Sequence, residues 1–137
     1  MIEFYSEGVE KIGEIETLSS WLVSVINSED YKEGEITYVF CDDDYLLDIN
    51  VKYLKHNYLT DIISFDYTLG KEVSGDIFIS VDRVRENALI YSTSFQDELH
   101  RVMVHGILHF CGYNDKTDSE KELMRSKEDY YLSLRTF

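Results

Sequence analysis

The sequence predicts an α+β domain in which a small, mixed, four-stranded sheet packs with about five helices. Two observations lead to this fold class. Stretches that alternate between apolar and polar residues are interspersed with stretches whose apolar residues recur every three or four positions. Taken in order, they give β-α-β-α-β-β-α-α-α, with two consecutive strands and three helices at the end. The chain has no proline, no low-complexity tract and no internal repeat, so residues 1–137 are predicted to form a single domain.

The first half of the chain supplies two predicted strands, each followed by a helix. A short strand lies near residues 2–5, and "EITYVFC" (residues 35–41) alternates and is rich in β-branched and aromatic residues. Between them, residues 17–27 predict a helix capped by Thr17, because five apolar residues fall on one helical stripe. These five residues are Leu18, Trp21, Leu22, Val25 and Ile26. A second helix follows the turn residues "DDD" and is predicted to end near His56.

The next three predicted elements are two strands and a helix. "DIISFDY" (residues 61–67) and "GDIFIS" (residues 75–80) are the strands, and the loop that joins them contains Gly70 and Gly75. The stretch "SVDRVRENALIY" (residues 80–91) has the spacing of a third helix. Consecutive strands joined by a short loop favour a mixed sheet over a purely parallel one.

The fourth predicted helix is the central one. Ser94 caps it, and the residues from Phe95 to Leu108 are apolar around most of the circumference, which is typical of a buried helix. Gly112 marks its end, because glycine tolerates the left-handed conformation that often follows a helix. The last helix begins at Thr117 with the spacing of another capping box.

The composition limits the classes of function. The formal net charge is −14, which argues against indiscriminate binding to nucleic acids. Residues 49–60 nevertheless contain no carboxylate and include Lys52, Lys55 and His56, so either a local cationic surface or a solvated helix end fits this stretch. The chain has no basic start followed by an apolar core and no run of about 18 apolar residues, so we expect a cytoplasmic protein that does not contact the membrane.

The stretch "HGILHFCGYND" (residues 105–115) carries the strongest chemical signal. His105 and His109 are separated by four residues, which places both imidazoles on one side of a helix. A turn at Gly112 can then bring Asp115 back towards the two rings. The sequence therefore predicts a metal site at the C-terminal end of the central helix, formed by His105, His109 and Asp115.

The ligand set indicates a catalytic site. Its spacing matches the H-x-x-x-H-x-x-G-x-x-H pattern of metzincin proteases, with Asp115 in the third place, and three protein ligands leave one position on zinc open. The metalloproteases carry glutamate directly after the first histidine, whereas this chain has Gly106. We therefore expect a metal hydrolase other than a protease, in which Gly106 lets a neighbouring backbone come close. Two histidines and a carboxylate are also typical of non-haem iron sites, and a hydrolase of small substrates fits as well.

Three blocks of the sequence, in the same order and spacing, resemble the YbeY family of bacterial metal-dependent endoribonucleases. "HGILHFCGYND" is similar to the family stretch H-G-x-L-H-x-x-G-Y-D-H, "LTDIISFDY" to P-T-D-V-L-S-F, and "GDIFIS" to G-D-I-x-I-S. The resemblance implies single-strand-specific RNA cleavage with one zinc ion per chain. The implied role is maturation of the 3′ end of small-subunit rRNA and removal of defective ribosomes, with the small ribosomal subunit and its assembly factors as partners.

Two departures from the family pattern affect the expected site. Asp115 stands where the family usually has a third histidine, which lowers the charge of the site by one unit and should make the metal a weaker Lewis acid. Leu54 stands where the family usually has arginine. We expect Lys55 and Arg101 to be the candidate catalytic helpers, the first for phosphate charge and the second because it lies one turn before His105. The alternative is a ribosome-assembly factor that binds metal but has lost cleavage.

Overall fold

The computed structural model describes residues 1–137 and confirms the predicted order of elements. The strands are β1 (Ile2–Ser6), β2 (Lys32–Cys41), β3 (Ile62–Asp66) and β4 (Glu72–Ser80). The helices are α1 (Ile15–Ser28), α2 (Asp43–Leu54), α3 (Val81–Ile90), α4 (Phe95–Phe110) and α5 (Asp118–Ser133).

The four strands form one mixed sheet, as predicted, in the order β1-β2-β4-β3. Strands β1, β2 and β4 are parallel. Helix α1 connects β1 to β2, and helix α2 with strand β3 connects β2 to β4, so both connections are long enough for a parallel crossover. Strand β3 lies at the edge and pairs antiparallel with β4, in a register that places Ile63 opposite Phe78. The short β3-β4 connection accounts for this one antiparallel pair.

Three predicted boundaries were wrong. Helix α1 begins at Ile15 after Glu14, which has a left-handed backbone and gives no side-chain cap, so Thr17 lies in the first turn and is not the cap. Strand β2 begins at Lys32, because its pairing with β4 continues beyond a register shift between Glu33 and Ile36. Strand β4 begins at Glu72, which places Gly75 inside the strand and not in the preceding loop.

Gly75 is required where strand β4 meets helix α4. A Cβ atom at this position would lie 2.5 Å from the Phe110 ring and 2.5 Å from the carbonyl oxygen of Phe65. Glycine is therefore explained by close packing inside a strand, for which the sequence offered no distinguishing signal.

Helix α4 lies in the main hydrophobic core, as its apolar pattern predicted. Its residues Leu99, Met103 and Ile107 are 1% exposed or less. The Tyr38 hydroxyl of β2 donates a 2.7 Å hydrogen bond to the carbonyl oxygen of Met103, which ties the helix to the sheet. A smaller apolar cluster that includes Leu46 of α2 also packs on the sheet. Helix α4 is thus held against the sheet by apolar packing and by the hydrogen bond from Tyr38. No helix of the chain has the length and apolar character needed to cross a membrane.

Candidate metal centre

The end of helix α4 reverses the chain as the glycine predicted. Gly112 has a φ of 96°, and its N–H donates to the carbonyl oxygen of His109 at 3.0 Å. The N–H of Tyr113 donates to the carbonyl oxygen of Leu108 at 3.1 Å. These two bonds are those of a Schellman motif, which requires a residue in the left-handed conformation after the C-cap. The turn carries Asp115 back to the last turn of the helix.

The structure brings the three predicted ligands together. The Nε2 atoms of His105 and His109 are 2.9 Å apart, and Asp115 Oδ2 lies 3.2 Å from the first and 3.3 Å from the second. Zinc binds imidazole nitrogen at about 2.0–2.1 Å, so two nitrogens on a tetrahedral ion lie roughly 3.3 Å apart. A metal ion therefore fits among the three donor atoms once the two imidazoles separate by a few tenths of an ångström.

The other ring nitrogen of each histidine has a fixed partner. His105 Nδ1 lies 2.6 Å from Glu128 Oε2, and His109 Nδ1 lies 2.8 Å from the carbonyl oxygen of Tyr113. Because both partners accept, the neutral form of each histidine places its proton on Nδ1 and directs the lone pair of Nε2 at the same point. Metal-binding histidines usually have such partners, so the donor set fits a metal ion.

A family model and several relatives identify the group of proteins to which the chain is similar. The family model described as Endoribonuclease YbeY matches residues 4–135. The chain belongs to the YbeY family. Endoribonuclease YbeY of Flavobacterium johnsoniae is 56% identical over 134 residues, which cover 98% of this chain and 96% of that protein. Endoribonuclease YbeY of Flavobacterium psychrophilum is 57% identical over 134 residues, with the same two coverages of 98% and 96%.

A solved structure supports the fold of this YbeY family member. The solution structure of a Thermotoga maritima protein superposes with a TM-score of 0.72 at 26% sequence identity. The match covers 97% of this chain and 87% of the other. The arrangement of the sheet and helices is therefore shared with an experimentally determined structure.

Glu128 is the functional residue that sequence reasoning missed. Its side chain is 6% exposed and connects two groups, since Oε2 accepts from His105 and Oε1 accepts from Arg101 Nη1 at 2.8 Å. In α5, Glu128 lies between the buried residues Met124 and Tyr131 on the apolar stripe of the helix. A carboxylate in the middle of an apolar stripe was the signal that could have identified it, because buried carboxylates need partners.

Arg101 lies on the wall of the cavity, but its donors are engaged. Its Nη1 donates to Glu128, and its Nη2 donates to Asp129 Oδ1 at 2.6 Å. The side chain of Arg101 is only 19% exposed. The geometry makes Arg101 a support for Glu128, which in turn holds His105. Arg101 was predicted to be a catalytic helper because it lies one turn before His105, and the structure instead places its guanidinium against two carboxylates.

A second support holds the turn after α4. Glu29, in the loop after α1, accepts a hydrogen bond from the Tyr113 hydroxyl at 2.6 Å, one from Lys127 Nζ at 3.2 Å, and one from the Tyr131 hydroxyl. Burial raises the pKa of Glu29, but these three donors outweigh burial and lower it below the ordinary value. Glu29 thus fixes Tyr113, whose carbonyl oxygen orients His109.

The candidate metal centre opens into a cavity of about 620 Å³ between the edge strand β3 and helices α3, α4 and α5. Besides Arg101 and Glu128, its polar lining includes Thr60, Asp61, Asn87, Glu98, Lys121 and Arg125. Burial raises the pKa of both Asp61 and Glu98, and Coulombic repulsion between carboxylates in the cavity acts in the same direction.

Lys55 does not line this cavity. It is the C-cap of helix α2, has a left-handed backbone with a φ of 60°, and is exposed to solvent. Leu54, which stands in place of the family arginine, is 39% exposed. The structure therefore brings together His105, His109, Asp115 and Arg101, and leaves Lys55 outside the group.

Proposed function

We propose that the chain is a single-strand-specific endoribonuclease whose zinc ion is held by His105, His109 and Asp115, one ion per chain. The observation that supports this proposal is the convergence of the three donor atoms within 3.3 Å at one end of an open cavity. Membership of a family whose relatives are named endoribonucleases supports RNA as the substrate.

The chain's own residues have separate tasks in this proposal. A zinc ion held by His105, His109 and Asp115 would supply an acidified water and would polarise a phosphoryl oxygen. Glu128 and the Tyr113 carbonyl keep the two imidazoles in the tautomer that presents Nε2 to the ion. Arg101 holds Glu128 and partly neutralises its charge.

A proton acceptor is needed that Gly106 does not supply. Asp61 and Glu98 are the carboxyls on the cavity wall that neither serve as proposed ligands nor pair with Arg101. Burial raises the pKa of both carboxyls, so each carboxylate binds a proton more strongly than an exposed one. We propose that Asp61, which immediately precedes β3, is the stronger candidate, because it also acts electrostatically on His105.

The proposed cellular role follows from the family resemblance. We propose that the protein acts in the cytoplasm on the 3′ end of small-subunit rRNA and in ribosome quality control, with the small subunit and its assembly factors as partners. The second candidate function is a metal-binding assembly factor without cleavage. The exposed Leu54, together with Lys55 lying outside the cavity, favours this second candidate.

One experiment separates the two candidates. Purified protein is analysed for metal content and then incubated with single-stranded and double-stranded RNA, before chelation, after chelation and after zinc is restored. We expect cleavage of the single strand only, lost with chelator and regained with zinc, and no recovery in His105→Ala. Stoichiometric zinc without cleavage of any RNA would favour the assembly factor. Chelator-sensitive hydrolysis of a peptide would overturn both.

A further inference from the structure

Helix α5 presents two cations to the metal-centre cavity. Lys121 and Arg125 are four residues apart, so they lie on one side of the helix and about 6 Å apart along its axis. Both line the cavity that contains His105, His109 and Asp115, and both are exposed to solvent. The first turns of α5 thus form a wall of the cavity that carries positive charge.

These two cations are free, whereas the other cation of the cavity is not. Four of the five arginines form ion pairs, namely Arg83–Asp43, Arg85–Asp82, Arg101–Glu128 and Arg135–Asp97. Arg125 is the exception, and neither it nor Lys121 makes an ion pair or donates a side-chain hydrogen bond. In a chain with 27 acidic and 13 basic residues, an arginine without a carboxylate partner is unexpected.

Lys121 and Arg125 share the cavity wall with carboxylates, and the balance of these charges depends on a metal ion. The wall carries four carboxylates, those of Asp61, Glu98, Asp115 and Glu128, and three cations, so its formal charge is −1 with neutral histidines. A divalent ion on the proposed ligands changes this to +1. Arg101 is already paired with Glu128 and Asp129. Apart from a bound metal ion, the groups that can attract an anion into the cavity are therefore Lys121 and Arg125.

We propose that Lys121 and Arg125 bind backbone phosphates of the single-stranded RNA that enters the cavity, and so set the path of the strand along α5. This inference rests on the proposed function, because it takes RNA as the substrate. A guanidinium contacts phosphate through two parallel hydrogen bonds, and an ammonium contacts it as a point charge. Arg125 therefore fixes the orientation of one phosphate, and Lys121, closer to the turn that carries Asp115, binds nearer the metal.

The test measures binding separately from cleavage. A labelled single-stranded oligoribonucleotide is titrated on ice with zinc-loaded protein, over a series of salt concentrations, and a gel confirms that the strand stays intact during the measurement. The proteins are the parent, Lys121→Gln, Arg125→Gln and the double variant. Two controls, Lys11→Gln and Arg85→Gln, remove exposed cations that do not line the metal-centre cavity. The thermal unfolding midpoint of each variant confirms that it is folded.

Each cavity variant should bind several-fold more weakly than the parent and lose about 0.7 from the slope of log K against log salt, the value for one phosphate contact on a single strand. The controls should keep the slope of the parent. If Lys121→Gln and Arg125→Gln keep that slope as well, the inference is wrong.

Cleavage by the zinc-loaded proteins distinguishes this failure from that of the proposed function. A parent that cleaves, with cavity variants that bind like the controls, overturns the inference and leaves the nuclease standing. A parent that does not cleave, with variants that lose binding, overturns the nuclease and supports phosphate binding on α5.

Discussion

Replacing Glu128 with glutamine should weaken metal binding through His105. Glu128 accepts hydrogen bonds on both oxygens, from His105 Nδ1 at 2.6 Å and from Arg101 Nη1 at 2.8 Å. A glutamine amide has one oxygen and one NH₂ group, so it can accept from only one of these two donors. If its oxygen faces His105, its NH₂ group faces the guanidinium, and if the amide is flipped, the NH₂ group faces Nδ1–H.

The expected loss follows from the partner that His105 loses. Removing a hydrogen-bond partner of a metal-binding histidine lowers metal affinity by about 10- to 100-fold, which corresponds to roughly 1.4–2.7 kcal/mol. The negative charge of Glu128 also makes His105 Nε2 a stronger electron-pair donor to a cation, and glutamine lacks this charge. Because the carboxylate is 6% exposed, water cannot replace it fully. We therefore expect a value in the upper half of this range.

The assay is competition for zinc with a chromogenic chelator at neutral pH. Asp129→Asn is the matched control, because Asp129 is adjacent in α5 and contacts Arg101 at 2.6 Å but does not contact His105. Its side chain is 60% exposed, so its ion pair contributes little and zinc affinity should change by less than about threefold. Equal affinities for Glu128→Gln and Asp129→Asn would refute the role of Glu128 in orienting the histidine.

Three other predictions test other parts of the molecule. Asp115→His should keep or tighten zinc binding and Asp115→Ala should loosen it, as measured by the same competition; parent-like affinity in both would show that Asp115 is not a ligand. Gly106→Glu should destabilise the fold by on the order of 3 kcal/mol in urea unfolding and yield no peptidase, because position 106 is buried and its Cβ would meet Ile77 Cδ1 at 2.9 Å. Burial, together with the neighbouring Arg135, lowers the pKa of His100 from 6.5 to about 4, so the unfolded state binds more protons in this window. The free energy of unfolding should therefore fall as the pH drops from about 6.5 to 4, more steeply in the parent than in His100→Gln, and parallel profiles would contradict the assignment.

The proximity of the three proposed ligands could be predicted from sequence because their geometry is local. His105 and His109 share a helix, and Gly112 permits the Schellman turn that returns Asp115 to them within six residues. The prediction that Gly106 allows close packing is correct, but the predicted neighbour is wrong. The side chains of β3 and β4 approach it, whereas we expected a backbone.

The groups that support the ligands could not be predicted in this way. Glu128 lies 23 residues from His105 in sequence, and their contact exists only because α5 packs against α4. The same reasoning applies to the cations. The acid-free stretch of residues 49–60 drew attention to Lys55, but which cations line the cavity depends on the placement of α5 relative to the sheet. Lys121 and Arg125 lie among acidic residues in the sequence, so local charge patterning concealed them.

The net charge of −14 is a poor guide to the cavity because much of it lies elsewhere. Residues 1–35 contain nine acidic and two basic residues, half of the excess, and none of them lines the cavity. Charges beyond about 8 Å are largely screened at physiological ionic strength, so they slow the approach of RNA mainly at low salt. In the proposed function, contact is decided by the cavity, whose formal charge would change from −1 to +1 with a divalent ion on the proposed ligands. Such an ion would determine the sign of the local charge, and an acidic protein would then bind a polyanion at this one place.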